Sequence, residues 1–429
     1  MYRLNGQGVC RRHKRPCGRS RRGLVALGVF SGLFLLPLAP PGPAVSIRRA
    51  ASASASAITG HGVFHLVTAV TISGRTAVVL GGSGPTAIGD LEASSAFVVD
   101  KVGNAWHLVD TLTNFGPAGA WAKSAALGEG TLAISWFRLS FAGVAIYEKS
   151  GPSFHLVADF RLPVKGGEIG TVATDGSTVM VGAWGDGTGR ALIYHRVGSA
   201  WRLSQSLTNP APRPGDKFGW SVAISGTTAL VDQEYGYGSI YTYREVGRAW
   251  RLTGNLHPQE AANFGANISL AGGVLVAGGF DGQGASAFER SAGGWIQYPL
   301  DQYGSGAHNG FGAAVAAGTQ AVRSGQVTLL AVGAPGIFTP NAPEARGRVY
   351  LYTWEPASPP AGETLTAPGA MPGGSGFGEA VALSGDTLLI GQETLLPIGN
   401  QSPPTVPTGR VYVYTDTRSG WVPSGQLPL

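Results

Sequence analysis

Four acids stand where chemistry could be built from them: Asp186, Asp232, Glu234 and Asp281. Two carboxylates meeting at one bond can divide acid and base roles, as they do in most glycoside hydrolases. Cleavage of a polysaccharide or a lipid head group would need such convergence at one end of the fold or in a channel. These four are the suggestive set in a chain with only 13% charged residues. His65, His107 and His155 share a slot, each following an aromatic residue and preceding a leucine. Elsewhere that slot holds Arg202, Arg251, Ile296 or Val422, the mixture expected of a solvated outer strand rather than a metal site. The Gly-rich runs at 81–84 and 373–376 lack the strand-to-helix setting of a phosphate cradle and read as turns. No nucleophile elbow, zinc-protease helix or Walker loop occurs, so no catalytic, cofactor or metal residue is assigned.

The elements that must position these residues are repeated. The clearest unit runs Phe218-Gly219-Trp-Ser-Val-Ala-Ile-Ser-Gly226, Thr-Thr-Ala-Leu-Val-Asp232, Gly238-Ser-Ile-Tyr-Thr-Tyr243 and Trp250-Arg-Leu252. The turn after its first strand recurs at Gly74, Glu129, Gly176, Gly226, Gly272, Thr319 and Gly385, in six steps of about 52 residues. A second ruler keeps the same phase. The third strand ends its aromatic or branched run at Val99, Tyr147, Tyr194, Tyr243, Phe288, Tyr352 and Tyr414. Seven residues later stand Trp106, Phe154, Trp201, Trp250, Trp295, Pro359 and Trp421.

Each unit reads as four short strands, predicted in the fourth unit at 218–224, 227–232, 238–245 and 249–256. Second strands such as Val274-Leu-Val276 are continuously apolar, as strands covered on both faces should be. Sheets of this kind have two apolar faces and must press each against a neighbour, which predicts an all-β, seven-bladed propeller of four-stranded antiparallel blades. The recurrent tryptophan is large enough to fill the wedge between diverging blades, and the repeated tyrosines read as core. Phe64-His-Leu66 copies the fourth-strand motif, so either it or the Trp421–Leu427 strand completes the last blade and closes the ring.

Residues 1–22 carry eight basic residues and no acid, and Leu24–Ala39 is apolar. This is the layout of an export signal, with Ser20-Arg21-Arg22 resembling a twin-arginine motif and cleavage expected after Ala44. An uncleaved membrane anchor is the competing reading. The expected organisation is therefore 1–44 export signal, 45–61 Ala/Ser-rich linker and 62–429 propeller, in a protein secreted or held on the envelope exterior. With the eight leader residues set aside, 23 of the 31 basic residues face 25 acidic ones. No basic field for nucleic acid remains, and membrane contact would come only through a retained N-terminal segment. Both cysteines, Cys10 and Cys17, lie in the leader, so disulfides do not hold the propeller together.

The unit Phe-Gly … Gly-Ala-Pro … Gly-x-Val-Tyr-x-Tyr … Trp resembles the FG-GAP repeat of integrin α-subunit propellers and of many bacterial extracellular proteins. Phe311-Gly312, Gly333-Ala334-Pro335-Gly336 and Gly347-Arg-Val-Tyr-Leu-Tyr352 carry it best. In units one to three the opening pair becomes Leu66-Val67, Trp121-Ala122 and Glu168-Ile169. Many members hold calcium on an Asp-rich loop, a set of oxygen ligands suited to a hard cation. That loop is absent here, so no cofactor is expected, calcium being the one candidate the resemblance raises. The resemblance, with unequal loops, implies an extracellular recognition or adhesion module for a protein or glycan ligand. The alternatives are an extracellular hydrolase or lyase acting on polysaccharide or lipid head groups, and a passive envelope component. Insertions at 337–346 and 394–408, the Pro/Gly-rich 356–375 segment and two outer turns mark the candidate contact surface. Its residues are Trp136, Phe137, Arg138, Glu234, Tyr235, Tyr237, Ile337, Phe338, Asn341, Asn400 and Gln401.

Overall fold

A computed structural model describes the chain from Val67 to Leu429, apart from 83–94, 114, 139–140, 163, 165–167, 186, 214, 234–237, 258–263, 280–283, 301–309, 337–346, 356–360, 370–375 and 395–407. Seven four-stranded antiparallel sheets are formed, each from strands consecutive in sequence. They are blades one to seven, at 67–112, 121–161, 172–208, 218–256, 264–299, 314–366 and 380–426. In blade four the strands are Phe218–Ser225, Thr228–Gln233, Ser239–Val246 and Ala249–Leu256, within a residue or so of the expected limits. Second strands such as Thr76–Gly81 and Val274–Gly279 are buried along their whole length, because a neighbouring blade covers each face.

One expected turn is displaced. Thr319 lies inside the strand Ala314–Val322, whose hairpin to Gly325–Ala334 turns later, around Arg323. Gly318 does not make the early turn: it stays in the ladder opposite Leu329, and positive φ is taken up later, by Gly325 at 137°. At Glu129 the repeat keeps its turn with a non-glycine residue in the first position, at φ 45°, followed by Gly130 at φ 81°.

The cores lie between blades, and each joins one blade to the next. Phe154, Trp201, Trp250 and Trp421 are buried in the clusters shared with the preceding blade, and Trp106 and Trp295 pack against theirs. Blade six, with Pro359 in that slot, fills the same wedge with Trp354 from its third strand, edge-on to Tyr298. Inner strands are also stapled by hydroxyls. Thr71, Ser124, Thr171, Ser221 and Ser269 each accept a backbone N–H from the following blade.

Blade seven takes its fourth strand from Gly420–Gln426, so Trp421 is not displaced by an N-terminal strand. Phe64–Leu66 lies outside the described residues. Closure comes from Val67, Val70 and Val79 packing on Ala380, Leu389 and Val411, with Gly74 N–H donating to Ser384 Oγ at 3.0 Å.

The Phe-Gly and Gly-Ala pairs of the repeat have a steric reason. A Cβ on Gly182 in blade three would run into the carbonyl oxygen of Gly219 in blade four, and one on Gly278 into that of Gly312. Backbones of adjacent blades therefore meet where only glycine fits. Gly182→Ala is expected to cost about 1–3 kcal/mol, the usual penalty of overpacking, measurable by urea unfolding. An open site such as Gly198, where an added Cβ meets no neighbour, serves as the contrast for packing.

Candidate functional site at the channel mouth

First strands line a central channel. Antiparallel pairing sends the connections from strand two to three, and from each blade to the next, to the end where first strands begin. At that end the channel widens into a cavity of about 850 Å³, continuing below into a narrower one of about 320 Å³. The residue after the opening pair of each unit reaches the cavity wall: Thr68, Lys123, Gly170, Trp220, Ala266, Ala313 and Glu379. The physical device is a β-bulge. Pairing slips between Val67 and Ala69, Ala122 and Ser124, Phe218 and Val222, and Phe264 and Asn267. An extra residue there turns its side chain out of the sheet alternation and toward the axis.

Among the described lining residues only Lys123 and Glu379 are charged. Lys123 is exposed and has no ion-pair partner among the described residues. Glu379 is held by a tight turn in which its N–H donates to Gly376 O at 3.0 Å. Gly376 N–H donates to Glu393 O at 2.9 Å and Gly378 N–H to Gly391 O at 3.0 Å, which locks the turn to the strand carrying Glu393. Glu379 is exposed at the mouth, and desolvation by the blade edges around it raises its pKa above the ordinary carboxylate value.

Glu393 lies behind it, 4% exposed, with Oε1 lacking a hydrogen-bond partner among the described residues. Burial first, and the charge of Glu379 second, push its pKa up to about 7. Glu393, the more deeply buried of the two, therefore keeps its proton toward neutral pH.

A raised carboxyl pKa means the folded state holds more protons than the unfolded one. Stability contributed by neutral Glu393 is then present below about pH 4.5 and lost as pH rises to about 7. The loss above pH 7 is about 3 kcal/mol. Glu393→Gln is expected to raise the melting temperature at pH 8 and leave it nearly unchanged at pH 4.5; equal effects at both pH values would refute the assignment.

The acids singled out from sequence do not converge here. Asp232 is fully buried under Gly265 between blades four and five and does not line the mouth, while Asp186, Glu234 and Asp281 lie outside the described residues. Of the contact-surface residues, Trp136 is 2% exposed inside blade two and donates its indole N–H to Asp159 Oδ1 at 2.8 Å. Its bulk fills space left by Gly116 and Gly143, so it is core and offers nothing to a ligand. Phe137 is half-buried against Trp121, and the Arg138 guanidinium lies about 3.8 Å from where a Cβ on Gly119 would sit. Glu234, Tyr235, Tyr237, Ile337, Phe338, Asn341, Asn400 and Gln401 lie outside the described residues. The 337–346 insertion does leave from Pro335-Gly336, which line the mouth. His107 and His155 are exposed, as their slot implied.

The residues missed are Lys123, Trp220 and Glu379. One signal could have found them: they fill a slot directly after a repeated pair, and that slot changes from Thr to Lys, Gly, Trp, Ala and Glu.

The FG-GAP repeat family matches residues 201–243, about one unit. No curated protein is similar to the chain in sequence. Among solved structures, a protein from Lactobacillus plantarum is 12% identical with a TM-score of 0.51, over 82% of this chain and 97% of its own. A putative 6-phosphogluconolactonase from Bacteroides fragilis is 11% identical with a TM-score of 0.50, over 81% and 92%. A periplasmic gluconolactonase from Pseudomonas aeruginosa is 15% identical with a TM-score of 0.48, over 71% and 86%. The likenesses to the Lactobacillus plantarum and Bacteroides fragilis proteins establish the propeller fold. They also correct the integrin-like reading and the adhesion function drawn from it. The FG-GAP match is confined to one unit, and the fold shared over four-fifths of the chain is also that of a lactonase-named protein, so the fold does not favour a non-catalytic module.

Proposed function

We propose that this protein is a hydrolase of carboxylic esters or lactones, acting at the wide mouth of the channel. The observation that carries the reading is one exposed carboxylate, Glu379, and one exposed ammonium, Lys123, on the wall of a single cavity. Glu379 takes a proton from water as the water oxygen bonds to the acyl carbon. Lys123 faces the negative charge that develops on the carbonyl oxygen. The C–O bond to the alcohol then breaks, and the proton passes from Glu379 to the departing oxygen. Glycoside cleavage would need two carboxyls beside the bond, and Glu393 is too buried to be the second. A lactone, the substrate class in the name of the Bacteroides fragilis protein, is an ester of this kind. The leader at 1–44 would place the activity outside the cytoplasm.

The test is acid release, followed by pH-stat, from glucono-1,5-lactone, p-nitrophenyl acetate and acetylated xylan, beside p-nitrophenyl glycosides. Release from an ester or lactone, lost in Lys123→Met, is the expected result. Turnover of glycosides alone, turnover indifferent to Lys123 and Glu379, or no turnover at all would overturn it.

A further inference from the structure

We propose that the substrate is an ester-bearing oligosaccharide, one of whose sugar rings stacks on a shelf formed by Trp220 on the cavity wall and backed by Trp184, across the mouth from Glu379. The proposal rests on the hydrolase reading above and names its substrate class. Trp220 occupies the mouth slot of blade four, three blades from Glu379 in a ring of seven. Trp184, directly after the second strand of blade three, sets its ring centroid 5.1 Å from that of Trp220, tilted by 42°. The Lys217 ammonium lies 4.5 Å from the Trp220 ring and 5.4 Å from the Trp184 ring, a cation–π contact to both. Both indoles are only half-buried.

The shelf is built rather than incidental. Thr171 N–H donates to Trp220 O at 3.1 Å, and Trp220 N–H donates to Lys217 O at 3.1 Å. The segment leading into it is pinned by buried Asp216, which accepts from Asn209 Nδ2 and from the Arg213 N–H, both at 2.7 Å. Asn209 also donates to Gln233 Oε1 at 3.0 Å. Ordering of this kind is complete before a ligand arrives, so little conformational entropy is lost on binding.

The chemistry of the wall selects the ligand. A pyranose presents an apolar C–H face that packs on indole and a rim of hydroxyls for Thr68, Lys123 and Asn267. Size selects further. About 850 Å³ lies toward the upper end of the usual range for ligand pockets, and a lone lactone ring at Glu379 would leave Trp220 untouched. An oligosaccharide reaches both. Hydrolysis then adds water across the acyl C–O bond: the acid is released, and the sugar oxygen keeps the proton taken from water.

The experiment uses acetylated xylotetraose as probe. Full-length Glu379→Gln protein, which consumes it about 10²- to 10⁴-fold more slowly, is expected to bind it with a change in tryptophan fluorescence. Adding Trp220→Ala or Trp184→Ala should raise Kd at least tenfold. With Glu379 intact, the same two variants should lose at least tenfold in kcat/KM on the oligosaccharide and little on p-nitrophenyl acetate, while Trp184→Phe keeps most of both. Circular dichroism establishes that each variant is folded. Equal losses on both substrates in folded variants would make the tryptophans structural and overturn the proposal. Hydrolysis of p-nitrophenyl acetate without oligosaccharide binding would overturn it while the hydrolase reading survives. Tryptophan-dependent binding with no ester turnover would instead sink the hydrolase reading and support the shelf as a sugar site.

Discussion

Glutamine in place of Glu379 is expected to lower kcat for ester hydrolysis by about 10²- to 10⁴-fold, the range for losing a general base, with KM nearly unchanged. The amide keeps the size of the carboxylate and its place in the turn at 376–379, so substrate contacts survive and proton transfer does not. The pH profile checks the role. A base must be ionised, so kcat/KM should rise with pH along a limb lying above the ordinary carboxylate range, because channel confinement raises the Glu379 pKa. Burial, not Glu393, dominates that shift, so Glu393→Gln should leave the limb in place. Lys123→Met should lower kcat without moving the limb. A Glu379→Gln enzyme retaining most of its kcat would remove Glu379 from the chemistry.

Trp136→Ala is expected to cost about 3–5 kcal/mol, the penalty for truncating a fully buried aromatic side chain. Trp136 fills the space over Gly116 and Gly143 and meets Phe141 edge-on at 6.4 Å, so little around it can collapse inward. Its indole N–H is also the donor to Asp159, whose carboxyl pKa is raised by burial and lowered by this bond. Truncation leaves that carboxylate without its donor, and its pKa rises further. The ionised form then destabilises the fold, so the penalty should shrink as pH falls and Asp159 becomes neutral. Urea unfolding at pH 7 and pH 4 measures both statements. A penalty under about 1 kcal/mol at pH 7 would contradict the burial assigned to Trp136.

The packing of the rim explains why so much of this fold could be read from residues alone. A propeller blade repeats its needs at a fixed spacing: a buried second strand, a wedge-filling aromatic, a glycine at each close approach. Phe218-Gly219 and Trp250 announce these needs locally, and seven copies make the period visible. Where a copy departs, neighbours compensate, as Trp354 does for Pro359, and such substitution depends on three-dimensional proximity.

The channel mouth was legible only as a loop-bearing end. Sequence by itself determined the blade number, strand order and rim packing, because those follow from period and polarity along the chain. Tertiary structure alone decided that Lys123, Trp220 and Glu379, drawn from blades two, four and seven, share one cavity. Two physical causes lie behind that. A bulge overrides the strand alternation from which side-chain direction is read, and ring closure joins residues about 260 positions apart. Glu393 is the clearest case. Its neighbours in sequence are unremarkable, and its pKa of about 7 comes from burial and from the carboxylate of Glu379 in the turn at 376–379.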